Sequence, residues 1–446
     1  MEESLQKKRS TTKLETLGLE PVPSALKTTT AWDYIRIQVA ISINAGNMLV
    51  PALAVIEGGL SFFQAVLSTV VGAWIAFLFV SLLSFPGAKY GLPSQYVIRT
   101  MVGDKGSMWV SSPVRTMTSL YWFSVQTIGG TLILQEMFRR ALNIHIPFVI
   151  LSMILALCMV YLAIVGFQAM KKITAVFTPF LLIAGGCMFY VFFTSNPEGS
   201  SFVQIISMNQ DGWNGKTMFF YASLAFVQYV SGVSSSADLS RYSKTTTHAF
   251  WGIYLGNSIG FLCTALLGAY TAAAANHWNP FLITSQWTNS PILFMVIMIA
   301  AIFSMLTINM NNAYTGGYSL LNSLPRLGRI RSAVIFGLAG IGLSAYPGVV
   351  NEAEVFISLL GAFIIPLSAV IVADFSIIKK LMITRESLDL LATGGKRINH
   401  VAFITVLIGM VLYFALPTES SPGFIVFIIS FILYLFVHQF VEKRKR

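Results

Sequence analysis

Trp122 and Gln126 lie four residues apart and so share one face of any helix that carries them. Gln228 and Tyr229 adjoin in a second apolar stretch. A third reads Thr307-Ile308-Asn309-Met310-Asn311-Asn312, with Tyr314 just beyond. Indole and phenol rings offer flat π faces that can sandwich a planar ring. The amides of Gln126, Gln228, Asn309 and Asn311 each present a donor and an acceptor, the pattern that reads the edge of a heterocyclic amide or amidine. Arginines and lysines are expected at the ends of the apolar stretches rather than among these residues, which disfavours nucleotides and organic anions and points to an uncharged ring. No nucleophile–base pair, phosphate loop or dinucleotide fingerprint occurs, and the five histidines lack metal-ligand spacing. Neither an enzyme nor a bound cofactor is expected.

The elements that must position these side chains follow from composition. Of 446 residues, 55% are hydrophobic and only 11% charged, against about 25% in a soluble domain. The mean hydropathy of +0.71 agrees. Twelve apolar runs approach bilayer-crossing length: 33–56, 60–84, 108–137, 147–166, 173–194, 216–237, 248–275, 291–316, 333–349, 354–378, 399–416 and 422–440. An all-α polytopic membrane protein with twelve transmembrane helices is expected. The net charge of +11 reports orientation rather than a nucleic-acid partner. With the N-terminus in the cytoplasm, 26 of the 29 Lys and Arg residues face inward, and only Arg139, Arg140 and Lys216 face outward. Both termini are therefore expected in the cytoplasm, in an inner or plasma membrane. The first 31 residues are polar and lack an apolar signal core, so span 1 is expected to direct insertion.

Two spans are interrupted. Span 1 reads Ser42-Ile43-Asn44-Ala45-Gly46-Asn47 before Pro51, and span 6 reads Tyr229-Val230-Ser231-Gly232-Val233-Ser234-Ser235-Ser236. Small polar residues at membrane depth are tolerated where the backbone opens toward a cavity. Spans 1 and 6 begin successive units of five, and breaks at corresponding positions point to an inverted-repeat transporter. The expected organisation is a tail over 1–31, a first five-helix repeat over 32–194, an inverted second repeat over 195–380, and two further helices with a basic tail over 381–446.

These residues resemble the nucleobase:cation symporter-1 family, which includes cytosine permeases and hydantoin transporters. The resemblance runs from Pro21-Val22-Pro23 to the last span. It rests on Ile37-Gln38-Val39-Ala40-Ile41 with Ala45-Gly46, Trp122-Phe123 with Gln126, and Ala237-Asp238-Leu239-Ser240-Arg241-Tyr242. Thr307 to Asn312 and Leu360-Gly361-Ala362-Phe363-Ile364-Ile365-Pro366 complete it. It implies a LeuT-type 5+5 inverted repeat plus two C-terminal helices, importing a neutral nucleobase-like heterocycle by cation symport with alternating access. Trp122 is similar to the family's stacking tryptophan, Gln126 to its hydrogen-bonding glutamine and Gln38 to its span 1 glutamine. Tyr229 takes the place of the second aromatic.

Two departures qualify what is carried over. Ala313 stands where hydantoin transporters place an asparagine, leaving Asn309, Asn311 or Gln228 for polar contacts. The family's sodium site maps to carbonyls of Tyr34, Ile37 and Ser304 and the hydroxyl of Thr307, but its second hydroxyl falls on Ile308. The coupling ion is left as Na⁺ or H⁺. Asp238, three residues before Arg241, reads either as a local ion pair or as an inner-gate pair. A passive facilitator or channel for the same heterocycles is the competing reading. The expected partners are the ring, the cation and the bilayer, with a monomeric chain.

Overall fold

The structure is a computed structural model that describes residues 15–195, 201–207, 212–351, 353–393 and 398–445. Lys7, Lys8, Arg9, Lys13, Lys396, Arg397 and Arg446, which enter the charge reading, lie outside the described residues. The described chain is helical, with one isolated bridge between Thr29 and Ser243 as its extended pairing.

Each expected span falls on a helix. Span 1 is α1 (Ala31–Ser42) and α2 (Ala45–Ile56), bent by 60° at the break. Span 2 is α3 (Phe62–Leu82), followed by the short α4 (Ser94–Val102). Spans 3 to 5 are α5 (Ser112–Leu142), α6 (Phe148–Val165) and α7 (Phe167–Thr194). Span 6 is α8 (Gly215–Val230), a 3₁₀ turn over Ser231–Ser234 and α9 (Ser236–Ser240). Span 7 is α10 (Thr246–Ala275), again followed by a short helix, α11 (Pro280–Trp287). Spans 8 to 10 are α12 (Pro291–Ser323), α13 (Gly328–Ser344) and α14 (Ala353–Ala373). The last two are α15 (His400–Ala415) and α16 (Pro422–Lys445). By length and apolarity alone eight of the described helices qualify as spans, or nine with the bent pair. The other expected spans coincide with polar-faced α5 and with α8 and α15, each 16 residues long.

Local chemistry sets these boundaries. Thr30 and Asp33 form a reciprocal capping box at α1, and Ser61, Thr245, Asn279, Ser290 and Asn399 each cap the helix that follows. Helix α7 starts at Phe167 rather than 173, because Gly166 (φ +98°) ends α6 in a conformation only glycine adopts easily. Lys171, near the start of this longer helix, pairs with Asp33 at 2.8 Å.

The two five-helix units share an order: broken span, long helix, short connecting helix, then three spans. Thr29 N–H donates to the carbonyl of Tyr242 and Lys244 N–H to that of Thr29, so α1 leaves the surface where α9 arrives. Spans 1 and 6 therefore run in opposite directions, as an inverted repeat requires. Each broken span packs on the other unit: α1 and α2 against α10, α8 against α3. Helix α10 permits this through Gly252, Gly256 and Gly260. A Cβ on Gly256 would lie 2.8 Å from the Ile35 Cα, and one on Gly260 would lie 3.0 Å from the Val39 Cα.

Candidate functional site

The break in span 1 is built by Asn44. Its Oδ1 accepts from Asn47 N–H at 3.0 Å and caps α2, while its Nδ2 donates to the Ile41 carbonyl at 2.8 Å. The Ser42 carbonyl, freed by the break, accepts from Asn47 Nδ2 at 2.9 Å and Thr264 Oγ1 at 3.0 Å. In span 6 the hydroxyls of Ser234 and Ser235 donate to carbonyls three residues back, competing with the helical ladder. Irregular backbone at membrane depth needs such partners, and here the protein supplies them.

Both breaks open on one cavity of about 140 Å³. Of the seven expected binding residues, six line it: Gln38, Trp122, Gln126, Gln228, Tyr229 and Asn311. Gln126 Nε2 donates to Asn44 Oδ1 at 2.8 Å, tying α5 to the break, and a Cβ on Gly46 would collide with that amide. Gln228 Nε2 donates to Asn47 Oδ1 at 3.2 Å. The Tyr229 ring is wedged between Phe77 and Phe261, at 4.9 and 5.0 Å between centroids. Several buried polar atoms of the wall have no protein partner: Ser119 Oγ, Gln228 Oε1, Tyr229 Oη, Ser236 Oγ and Asn311 Oδ1. Buried polar groups are normally satisfied, so this concentration makes the cavity the candidate binding site.

Asn309 does not join them. It is fully buried on another face of α12, where its Nδ2 donates to the Phe123 carbonyl at 2.8 Å and to Thr127 Oγ1 at 2.9 Å. Residues two apart on a helix point about 200° from each other, so Asn309 and Asn311 cannot both face one cavity. Ile308, Asn311 and Asn312 form the face that does. Ser42, Asn47 and several serines of span 6, which mark the breaks in the sequence, also line the wall, as does Asn257, which no sequence pattern singles out.

The expected absence of cations from the interior does not hold. Arg115 is 7% exposed and lines the cavity; its Nη2 donates to Thr315 Oγ1 at 3.0 Å. It stands on the same helix face as Ser119, Trp122 and Gln126, which was the available signal. Asp238 and Arg241 are both fully buried but do not pair with each other. Asp238 Oδ1 accepts from Ser94 N–H at 2.8 Å, and Arg241 Nη1 donates to the Gly18 carbonyl at 3.0 Å. Their spacing of three would let them meet on one helix face, but Ser94 N–H and the Gly18 carbonyl claim them instead. Arg241 lies beside Glu15, whose Oε1 accepts from the hydroxyls of Tyr242 (2.6 Å), Tyr314 (2.9 Å) and Tyr318 (2.6 Å). Burial alone would raise the Glu15 carboxyl, but Arg329, Arg241 and these hydroxyls outweigh it and hold the pKa below the usual 4.5. Asp374 is taken up by Lys379 and by Tyr434 Oη at 2.8 Å.

At the expected sodium position, Tyr34 and Ile37 lie inside the continuous part of α1, ahead of the break. Thr307 Oγ1 lies 2.8 Å from the carbonyl of Ser304 and 2.8 Å from that of Ala40. Three oxygens thus meet between α1 and α12, while Ile308 turns its alkyl side chain to the cavity.

Against known proteins, residues 21–437 match the family model described as permease for cytosine/purines, uracil, thiamine and allantoin. The chain belongs to this family, the nucleobase:cation symporter-1 permeases. The permease is 24% identical to a hydantoin permease of Microbacterium maritypicum over 86% of its own length and 80% of the relative's. It is 25% identical to the cytosine permease of Escherichia coli K12, covering 80% of each chain. Its fold is that of a nucleobase-cation-symport-1 family transporter solved in a closed conformation with bromovinylhydantoin bound. That match has a TM-score of 0.81 at 18% identity and covers 97% of each chain. The permease is thus a multi-pass membrane transporter with the inverted-repeat fold.

Proposed function

We propose that this permease imports a planar nitrogen heterocycle of the nucleobase or hydantoin type by cation symport with alternating access, both termini facing the cytoplasm. The observation that carries this reading is the set of unpartnered amide and hydroxyl atoms converging on a cavity walled by Trp122 and Tyr229, beside two broken helices. Gln228 Oε1 and Asn311 Oδ1 are acceptors and suit ring N–H groups, and Gln38 and Gln126 add further amides to the same wall. The names of the relatives, permeases for hydantoin and cytosine, support the same class of cargo.

Na⁺ and H⁺ would use different groups. Na⁺ would draw on the Ala40 and Ser304 carbonyls and Thr307 Oγ1, with further oxygens from water or substrate. A proton has Asp238, whose Oδ2 has no partner. Arg241 serves as a gate residue with Glu15 and the tail segment rather than with Asp238.

Uptake of radiolabelled bases into proteoliposomes, under separately imposed Na⁺ and H⁺ gradients, tests the reading. Concentrative uptake that follows one gradient is expected, and Trp122→Ala abolishes it while the protein stays in the membrane. Normal uptake by that variant overturns the site; equilibration without accumulation under either gradient would make the chain a facilitator.

A further inference from the structure

We infer that the cavity contains a second subsite, formed by Arg115, for an anionic group carried on the heterocycle. The inference rests on the heterocycle reading above and adds the charge of the cargo.

Three observations lead to it. Arg115 is more than nine-tenths buried and lines the same cavity as Trp122, yet it joins none of the ion pairs among the described residues. Only its Nη2 has a hydrogen-bond partner of protein origin, Thr315, and its buried Nε has none. The surrounding charges do not balance: the buried guanidiniums of Arg115, Arg241 and Arg329 share two carboxylates, Asp238 and Glu15. Glu15 is held by the tyrosines beside Arg241 and Arg329. Asp238 attracts all three arginines and gives one oxygen to Ser94 N–H. Three guanidiniums thus face two carboxylates, and of the three Arg115 is the one that lines the cavity, with Asp238 as its nearest charge partner and no ion pair to it. An uncompensated buried cation is costly, and a carboxylate or ring oxyanion can take its free N–H groups with charge-assisted hydrogen bonds.

The placement fits one ligand. Arg115, Ser119, Trp122 and Gln126 succeed one another along a single face of α5, so the wall passes from guanidinium through hydroxyl to indole and amide. Seven residues separate Arg115 from Trp122, roughly 10 Å along the axis, and a long Arg side chain spans part of that interval. A ring stacked on Trp122 with its amide edge toward Gln126 and Gln228 turns its far edge toward Arg115. That edge is where the anionic substituent would lie.

The test compares neutral rings with anionic counterparts on the full-length chain in detergent. The pairs are uracil against its 6-carboxylate, orotate, and hypoxanthine against urate, read by thermal shift and by direct binding. At least one anion should bind tenfold or more tighter than its neutral partner. Preference for orotate alone would assign a carboxylate, and for urate alone a ring oxyanion. Arg115→Gln should bring each anion and its neutral partner to equal affinity, and Arg115→Lys should restore part of the preference, since lysine keeps the charge without the planar fork. Neutral rings that bind as well as or better than both anions overturn the subsite alone. The same holds for an anion preference that survives Arg115→Gln. If no ring of either kind binds, the heterocycle reading falls with it. Should Arg115→Gln fail to fold, the wild-type pairs and Arg115→Lys still decide.

Discussion

Single residues in this permease divide by the helix face they occupy rather than by type. Asn309 and Asn311 belong to one amide-rich stretch, yet the first ties α12 to α5 and the second faces the cavity. Losing a buried hydrogen-bonding group costs about 1–3 kcal/mol. Asn309→Ala is therefore expected to lower thermal stability by that order without changing ligand affinity in the protein that folds. Asn311→Ala is expected to leave stability nearly intact and weaken the ligand about tenfold, equivalent to one hydrogen bond of about 1.4 kcal/mol. Calorimetric unfolding and ligand titration on both variants separate the roles; equal effects on affinity would place Asn309 in the site. The aromatic and amide pairs were legible in the sequence because their spacing matches a helical face. Arg115 was not read as part of that face, because its position near the start of an apolar run suggested a hydrated edge.

Among elements, the two breaks and the close seating of α1 on α10 matter most. The breaks were visible as runs of Ser, Asn and Gly, because those side chains compete with the helical backbone. The seating depends on Gly252, Gly256 and Gly260, a repeat of small residues every four positions whose meaning appears only once α1 lies against it. Gly256→Ala places a Cβ 2.8 Å from the Ile35 Cα, and backbone cannot yield as a side-chain tip can. Overpacking of this kind costs about 1–3 kcal/mol. The expected result is a lower unfolding temperature with reduced uptake, because Gln38 sits on the displaced helix. An unchanged unfolding temperature would show that the two helices separate freely. The short helices α4 and α11 do not show in the sequence for a simple reason: they are too brief to register as spans and carry enough polar residues to pass for loops.

At the scale of the whole molecule, Glu15 joins the N-terminal tail to three distant parts of the chain. Its carboxylate takes hydroxyls from Tyr242 after span 6 and from Tyr314 and Tyr318 in α12, and Phe167 N–H at the start of α7 donates to it at 2.8 Å. Because the folded pKa lies below the ordinary 4.5, the contribution of Glu15 to stability is fully present above that value. It is lost only as pH falls through the lower, folded value. Glu15→Gln should therefore destabilise the protein by about 1–3 kcal/mol at pH 7, the buried group losing its charge-assisted hydrogen bonds. Wild type and variant should converge only below about pH 4.5. A stability gap that closes between pH 7 and 5 would assign the effect to another group. The sequence by itself determined the membrane-spanning helical class, the two interrupted spans and the Trp122–Gln126 pair, because hydropathy, backbone competition and helical spacing are local properties. Only the tertiary structure decided which asparagine faces the cavity, that Arg115 lines it, and that Glu15 meets tyrosines some 300 positions away. Those outcomes depend on how helices rotate and pack against one another, and no local pattern encodes the rotation.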